Sequence, residues 1–106
     1  MLNIIANGAS IPALGFGTFR MSGAEVAAVL PAALAQGFRH VDTAQIYENE
    51  DAVGAGIAAS GVARDEIFLT TKVWVTNLAA DRFAASVEES LARLGTDHVD
   101  LLLLHW

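Results

Sequence analysis

Asp42, Tyr47, Lys72 and His105 are the residues of this chain whose types and spacing could move protons. A carboxylate, a phenol, an ammonium and an imidazole together make a general acid–base set. Tyr47 is the only tyrosine and Lys72 the only lysine in the chain. Asp42 and Tyr47 share the stretch Gly37–Gly54, GFRHVDTAQIYENEDAVG, in which a short β-prone run ends at the acid, a polar bend follows, and Asn49-Glu50-Asp51 opens a helical pattern. Taken one at a time, each residue has an ordinary structural use. Asp42 can cap a turn, Tyr47 can be a half-buried tyrosine with a satisfied hydroxyl, Lys72 can pair with a neighbouring acid, and His105 can be a packed histidine after four leucines. Their joint placement is what favours chemistry: each stands at or just after the end of an apolar run.

The elements that must hold them read as follows. Asn7-Gly8 between Leu2–Ile5 and Ser10–Pro12 is a hairpin signal, since both turn residues take positive φ. Leu14-Gly15-Phe16-Gly17 is a short strand that leaves through Gly17-Thr18. Ser22 and Glu25 form a capping box ahead of a helix with Val26, Val29, Leu30, Ala33 and Leu34 at helical spacing. Gly37 closes it, and Pro31 within it predicts a kink. Phe38–Val41 is a strand ending at Asp42, and Ile67–Thr71 is one ending at Lys72. Val99–Leu104 is another ending at His105-Trp106, with Leu101–Leu104 buried on both faces. Glu50–Ser60 is a helix with Val53 and Ile57 inward. Asp81–Leu94 is a helix with Phe83, Val87, Leu91 and Leu94 on its inner face. Glu48, Glu50, Asp51, Glu88 and Glu89 read as solvated acids, and His40 and His98 as structural. The alternation predicts four parallel strands with three helices outside. All C-terminal strand ends then face one side, where the four groups converge.

Composition narrows the class. The 106 residues are 54% hydrophobic and 17% charged, enough to pack a core, and the net charge of −6 disfavours nucleic acid and anionic membranes. There is no cysteine, so no disulfide or thiolate metal site, and no metal-ligand spacing occurs among histidines and acids. No basic leader or spanning run is read, which fits a cytoplasmic protein.

Three separated segments resemble the aldo-keto reductase family: Gly37–Gly54; Thr70-Thr71-Lys72-Val73-Trp74; and Ser90–Gly95 with Asp97, Val99-Asp100-Leu101 and His105-Trp106. Within that family, Gly15–Phe19 and Thr43–Tyr47 are most similar to bacterial 2,5-diketo-gluconate and methylglyoxal reductases. The resemblance covers the whole chain. It implies that residues 1–106 are the first half of a (β/α)8 TIM barrel, which needs ~250 residues. It implies NADPH-dependent reduction of an aldehyde or ketone by the parent protein, a monomer. Tyr47 would be the general acid, Lys72 would favour the phenolate, Asp42 would aim Lys72, and His105 would orient the carbonyl. Gly17, Thr18 and Asp42 would line the cofactor, with Phe19, Trp74 and Trp106 as the substrate wall. No GxGxxG is present, so the cofactor would not be held by a Rossmann fingerprint. The competing expectation is a half-barrel without catalysis of its own, an assembly module or a non-functional fragment that associates through its open sheet edges.

Overall fold

The computed structural model describes residues 2–106. Strands β1 (Asn3–Ala6) and β2 (Ala9–Pro12) pair antiparallel, and Asn7 and Gly8 join them at φ 48° and 82°. Two successive positive φ values suit the right-handed twist of a hairpin. The main sheet is parallel. It contains β3 (Gly15–Gly17), β4 (His40–Asp42), β5 (Phe68–Trp74) and β6 (Leu101–His105), hydrogen-bonded in the order β3-β4-β5-β6. Helices α1 (Gly23–Ala35), α2 (Glu50–Ser60) and α3 (Ala80–Leu94) connect them in turn. Spatial order follows chain order without reversal. This is the winding of a (β/α) barrel rather than of a doubly wound sheet, and the chain forms part of one, preceded by the hairpin.

The helix ends follow the sequence. Glu25 N donates to Ser22 Oγ (3.1 Å) and Ser22 N to Glu25 Oε1 (3.2 Å), completing the capping box of α1. At the other end Phe38 N reaches Ala33 O (3.2 Å) and Gly37 N reaches Leu34 O (3.1 Å), with Gly37 at φ 109°. That is a Schellman closure, and its left-handed residue is best supplied by glycine. Pro31 lies inside α1, which runs on to Ala35.

Sheet and helices share one core: Val26, Leu30 and Leu34 of α1, Val41, Val53, Ile57, Ile67, Leu69 and Leu94. Val41 and Leu69 point from the sheet toward the helices. Residues Asp42, Thr70 and Leu101 are in register with one another, as are Lys72 with Leu103 and Trp74 with His105. Alternation along a strand then puts Asp42, Lys72, Trp74 and His105 on the opposite, interior face.

Several expectations change. The second and third parallel strands occupy 40–42 and 68–74 rather than 38–41 and 67–71, and the fourth starts at Leu101 rather than Val99. Val29 faces outward and is 43% exposed. Leu103 and Leu104 are 40% and 60% exposed rather than buried on both faces, because β6 is the edge of the sheet. On α3, Phe83, Val87 and Leu91 are only half-buried. The fully buried positions are Ser86, Ser90 and Leu94. The reason is a polar seam beneath α3, in which Ser86 and Ser90 meet Gln45.

Candidate active site

Asp42 ends β4, and Tyr47 ends a single 3₁₀ turn, Gln45–Tyr47, between β4 and α2. Lys72 stands two residues before the end of β5, and His105 ends β6. Lys72 Nζ donates to Asp42 Oδ2 (2.8 Å), to Thr43 O (2.9 Å) and to Tyr47 Oη (3.3 Å). The three ammonium protons are thereby placed. The Lys72 side chain is only 13% exposed and that of Asp42 36%, so the pair is partly shielded from water and its attraction exceeds that of an open surface pair. The ammonium also lies 5.0 Å from the centroid of the Tyr47 ring, a cation–π distance. Tyr47 accepts from Lys72, while its own O–H has no acceptor among the described residues. That proton is free for something outside the chain.

Aromatic rings surround the phenol. Phe19 is 5.3 Å and His105 6.0 Å from it, centroid to centroid, and Trp74 is 5.4 Å from His105. His105 Nδ1 is buried without a hydrogen-bond partner among the described residues, so Nε2 is the ring nitrogen available to a ligand. The expected set Asp42, Tyr47, Lys72 and His105 therefore converges, with Phe19 and Trp74 beside it. Trp106 does not pack with these rings and is 86% exposed. Gly17 is exposed beside Asp42, and a Cβ there would meet nothing within 4 Å, so a flat group has room to approach. Thr18 departs from its expected place against a cofactor. It is fully buried, and its hydroxyl donates to Thr43 Oγ1 (3.0 Å).

The sequence reading missed three residues that hold the site. Asn49 is 1% exposed and donates to Thr18 O and Met21 O (both 3.0 Å), tying the loop that carries Phe19 to the start of α2. Glu50, read as a solvated acid, is also 1% exposed. It accepts from Thr71 Oγ1 (2.7 Å), Ser90 Oγ (3.3 Å) and both Arg93 Nε (3.0 Å) and Nη2 (2.8 Å). A carboxylate can be buried there because its lone pairs are met and an arginine balances its charge. Gln45 completes the seam, reaching Ser86 and Ser90 of α3. Asn49 and Glu50 stand next to each other inside the Gly37–Gly54 stretch, the one local signal that pointed to them. A groove of about 490 Å³ on this flank is lined by Gln45, Trp74, Asn77 and Arg93 among others. It borders the reactive cluster only through Trp74. Among the described residues no group of three His, Cys, Asp or Glu could hold a metal ion, and no helix is long and apolar enough to cross a membrane.

The aldo/keto reductase family model matches residues 13–106. The chain belongs to the aldo/keto reductase family. Methylglyoxal reductase DkgB of Salmonella typhi is 55% identical over 97 residues, which is 92% of this chain and 36% of that protein. Glycerol 2-dehydrogenase (NADP(+)) of Saccharomyces cerevisiae is 48% identical over 99 residues, 93% of this chain and 31% of that one. A solved structure described as a 2,5-diketo-D-gluconic acid reductase B superposes with a TM-score of 0.96 at 67% identity, covering 100% of this chain and 38% of its own. The chain thus spans about a third of the length of the curated relatives it matches.

Proposed function

We propose that this aldo/keto reductase segment carries the proton-donating half of a carbonyl reductase, and that the whole protein reduces an aldehyde or ketone of the dicarbonyl or keto-sugar type. One observation carries the reading: a phenol with an unused O–H, 3.3 Å from an ammonium that a carboxylate holds at 2.8 Å, opens on an aromatic-lined face of the sheet. The names of the DkgB and 2,5-diketo-D-gluconic acid reductase relatives support the substrate class. The yeast relative's name supports NADP as cofactor.

Bound NADPH would supply the hydride that reaches the carbonyl carbon. The residues here fit its flat end in part: Gly17 and Asp42 leave an open approach, and Thr18 supports them from beneath without touching it. Tyr47 gives its proton to the carbonyl oxygen. Lys72 stabilises the phenolate that is left, because a positive charge nearby favours the anion. Asp42 keeps the ammonium aimed. His105 directs Nε2 at the same oxygen and fixes the carbonyl's orientation, with Phe19 and Trp74 as apolar walls. A positioned acid of this kind contributes ~10²–10⁴-fold. The protein works as a monomer in the cytoplasm.

The test uses the natural gene product at its own length, with NADPH and a small dicarbonyl such as methylglyoxal. One alcohol should form per NADPH consumed. The Tyr47→Phe variant should lose turnover and still bind NADPH. Dicarbonyl left unreduced by the parent, or turnover kept by the variant, would overturn the reading.

A further inference from the structure

The 3₁₀ turn that presents Tyr47 is weakly held by its own backbone. Its closing bonds, Tyr47 N to Ala44 O and Glu48 N to Gln45 O, are 3.2 and 3.3 Å long. The next residue, Glu48, sits at φ 58° and ψ 30°, a left-handed conformation that a non-glycine residue occupies only when its surroundings impose it. The side chain of Gln45, at the start of the same turn, is held far more firmly. Its Oε1 accepts from Trp74 N (2.9 Å) and Asn77 Nδ2 (3.0 Å), and its Nε2 lies 3.2 Å from Ser86 O, 3.2 Å from Ser86 Oγ and 3.1 Å from Ser90 Oγ. The carboxamide's two lone pairs and two protons are all engaged. One side chain clamps the turn between the end of β5, which carries Lys72 and Trp74, and the serine face of α3.

We infer that Gln45 is a positioning residue for Tyr47. It sets the phenol's height above the sheet and so its distance from Lys72, a role that rests on reading Tyr47 as the proton donor. The serines on the buried face of α3 then have a use: they are the far anchor of this clamp. Displacing a reacting group by about 1 Å can cost 10²-fold in rate. Loss of the clamp should therefore appear in turnover rather than in cofactor affinity.

The experiment uses the natural-length protein with tyrosine labelled at its phenol carbon, Tyr47→Phe identifying the Tyr47 resonance. Gln45→Met keeps the volume and removes the hydrogen bonds. It should shift and broaden the Tyr47 resonance, lower kcat about tenfold to hundredfold, and leave KM for the dicarbonyl and the Kd for NADPH within about twofold. Ser86→Ala, which removes one anchor far from the phenol, should move the same resonance less and in the same direction. It carries the test if Gln45→Met fails to fold. An unmoved Tyr47 resonance in a folded variant of either kind overturns the inference. A resonance that moves while kcat holds leaves the positioning standing and removes the proton-donor reading, which retained turnover in Tyr47→Phe would remove independently.

Discussion

A cation–carboxylate pair stands at either end of the sheet, Arg64–Asp100 and Lys72–Asp42, and the two differ in what they leave unused. At the end where the strands start, Arg64 Nη2 meets Asp100 Oδ2 at 3.0 Å. The rest of that guanidinium is bonded to Thr96 Oγ1 (3.1 Å), Ile67 O (2.8 Å) and His98 O (2.8 Å), and Asp100 also accepts from Leu69 N (2.8 Å). Every partner is backbone or a side chain of the turn before β6, so the pair stitches the turn before β5 to that turn. At the end where the strands finish, Lys72 and Asp42 are 2.8 Å apart with similar burial. There the ammonium's third contact is a phenol, and the phenol's proton has no acceptor among the described residues. The two pairs teach that ion-pair geometry alone does not set a residue apart; the phenol beside Lys72, with its unshared O–H, does.

The largest test of that contrast is Tyr47→Phe, which removes the unshared O–H and, with it, the 3.3 Å contact from Lys72. Turnover should fall by ~10²–10⁴-fold, while thermal stability and NADPH binding stay near those of the parent. Steady-state kinetics alongside calorimetry separate the two. Next comes Lys72→Met. Removing one charge-stabilising donor costs about 10²-fold in kcat in comparable sites, and the protein should remain folded. If unfolding were the only consequence, Lys72 would be the structural equal of Arg64. Arg64→Met should do the reverse. Leaving Asp100 and the Ile67 and His98 carbonyls without their donor should cost about 1–3 kcal/mol in denaturant unfolding, with kcat per folded molecule unchanged.

The smallest effect lies near the Arg64 end, at Asp97 and His98. His98 Nδ1 is 2.7 Å from Asp97 Oδ1, and this hydrogen bond, then the imidazole's charge, hold the Asp97 carboxyl below the usual carboxylate range. A lowered folded value means the contribution to stability is present above the unfolded carboxylate's pKa and is lost as pH falls through the folded one. His98→Asn should move the Asp97 carboxyl titration, followed by NMR, upward toward the ordinary aspartate range. The variant's stability should approach the parent's only in acid. Asp97 is fully exposed, so water and salt screen the pair and its effect on melting should be the weakest of the set.

Much of this contrast was legible in the residues. Asn7-Gly8 marked the hairpin, and alternating apolar runs with caps at Ser22 and Gly37 marked the order of elements. The ends of those runs brought Asp42, Tyr47, Lys72 and His105 together. What stayed hidden was the polar seam. Ser86 and Ser90 sit on the inner face of α3 because Gln45 and Glu50, some forty residues earlier, need partners. A local pattern reads serine as outward and picks Phe83, Val87 and Leu91 as core. Glu50 looked like a first-turn acid favoured by the helix dipole, and nothing nearby in the chain announces Arg93. The family resemblance set Thr18 against the cofactor, whereas its hydroxyl lies in the buried Thr43–Asn49 network. Long-range hydrogen bonds are properties of the assembled fold, and local periodicity carries no trace of them.

The rate of hydride transfer in a single turnover is the sharpest probe of Tyr47 as the proton donor. It would be measured in the natural-length protein with NADPH already bound, comparing Tyr47→Phe with Arg64→Met under conditions where both are folded. Tyr47→Phe should lose ~10²-fold or more, and Arg64→Met should keep the parent's rate. Equal rates in the two variants would contradict the proton-donor reading, because the two ends of the sheet would then differ in position and not in chemistry.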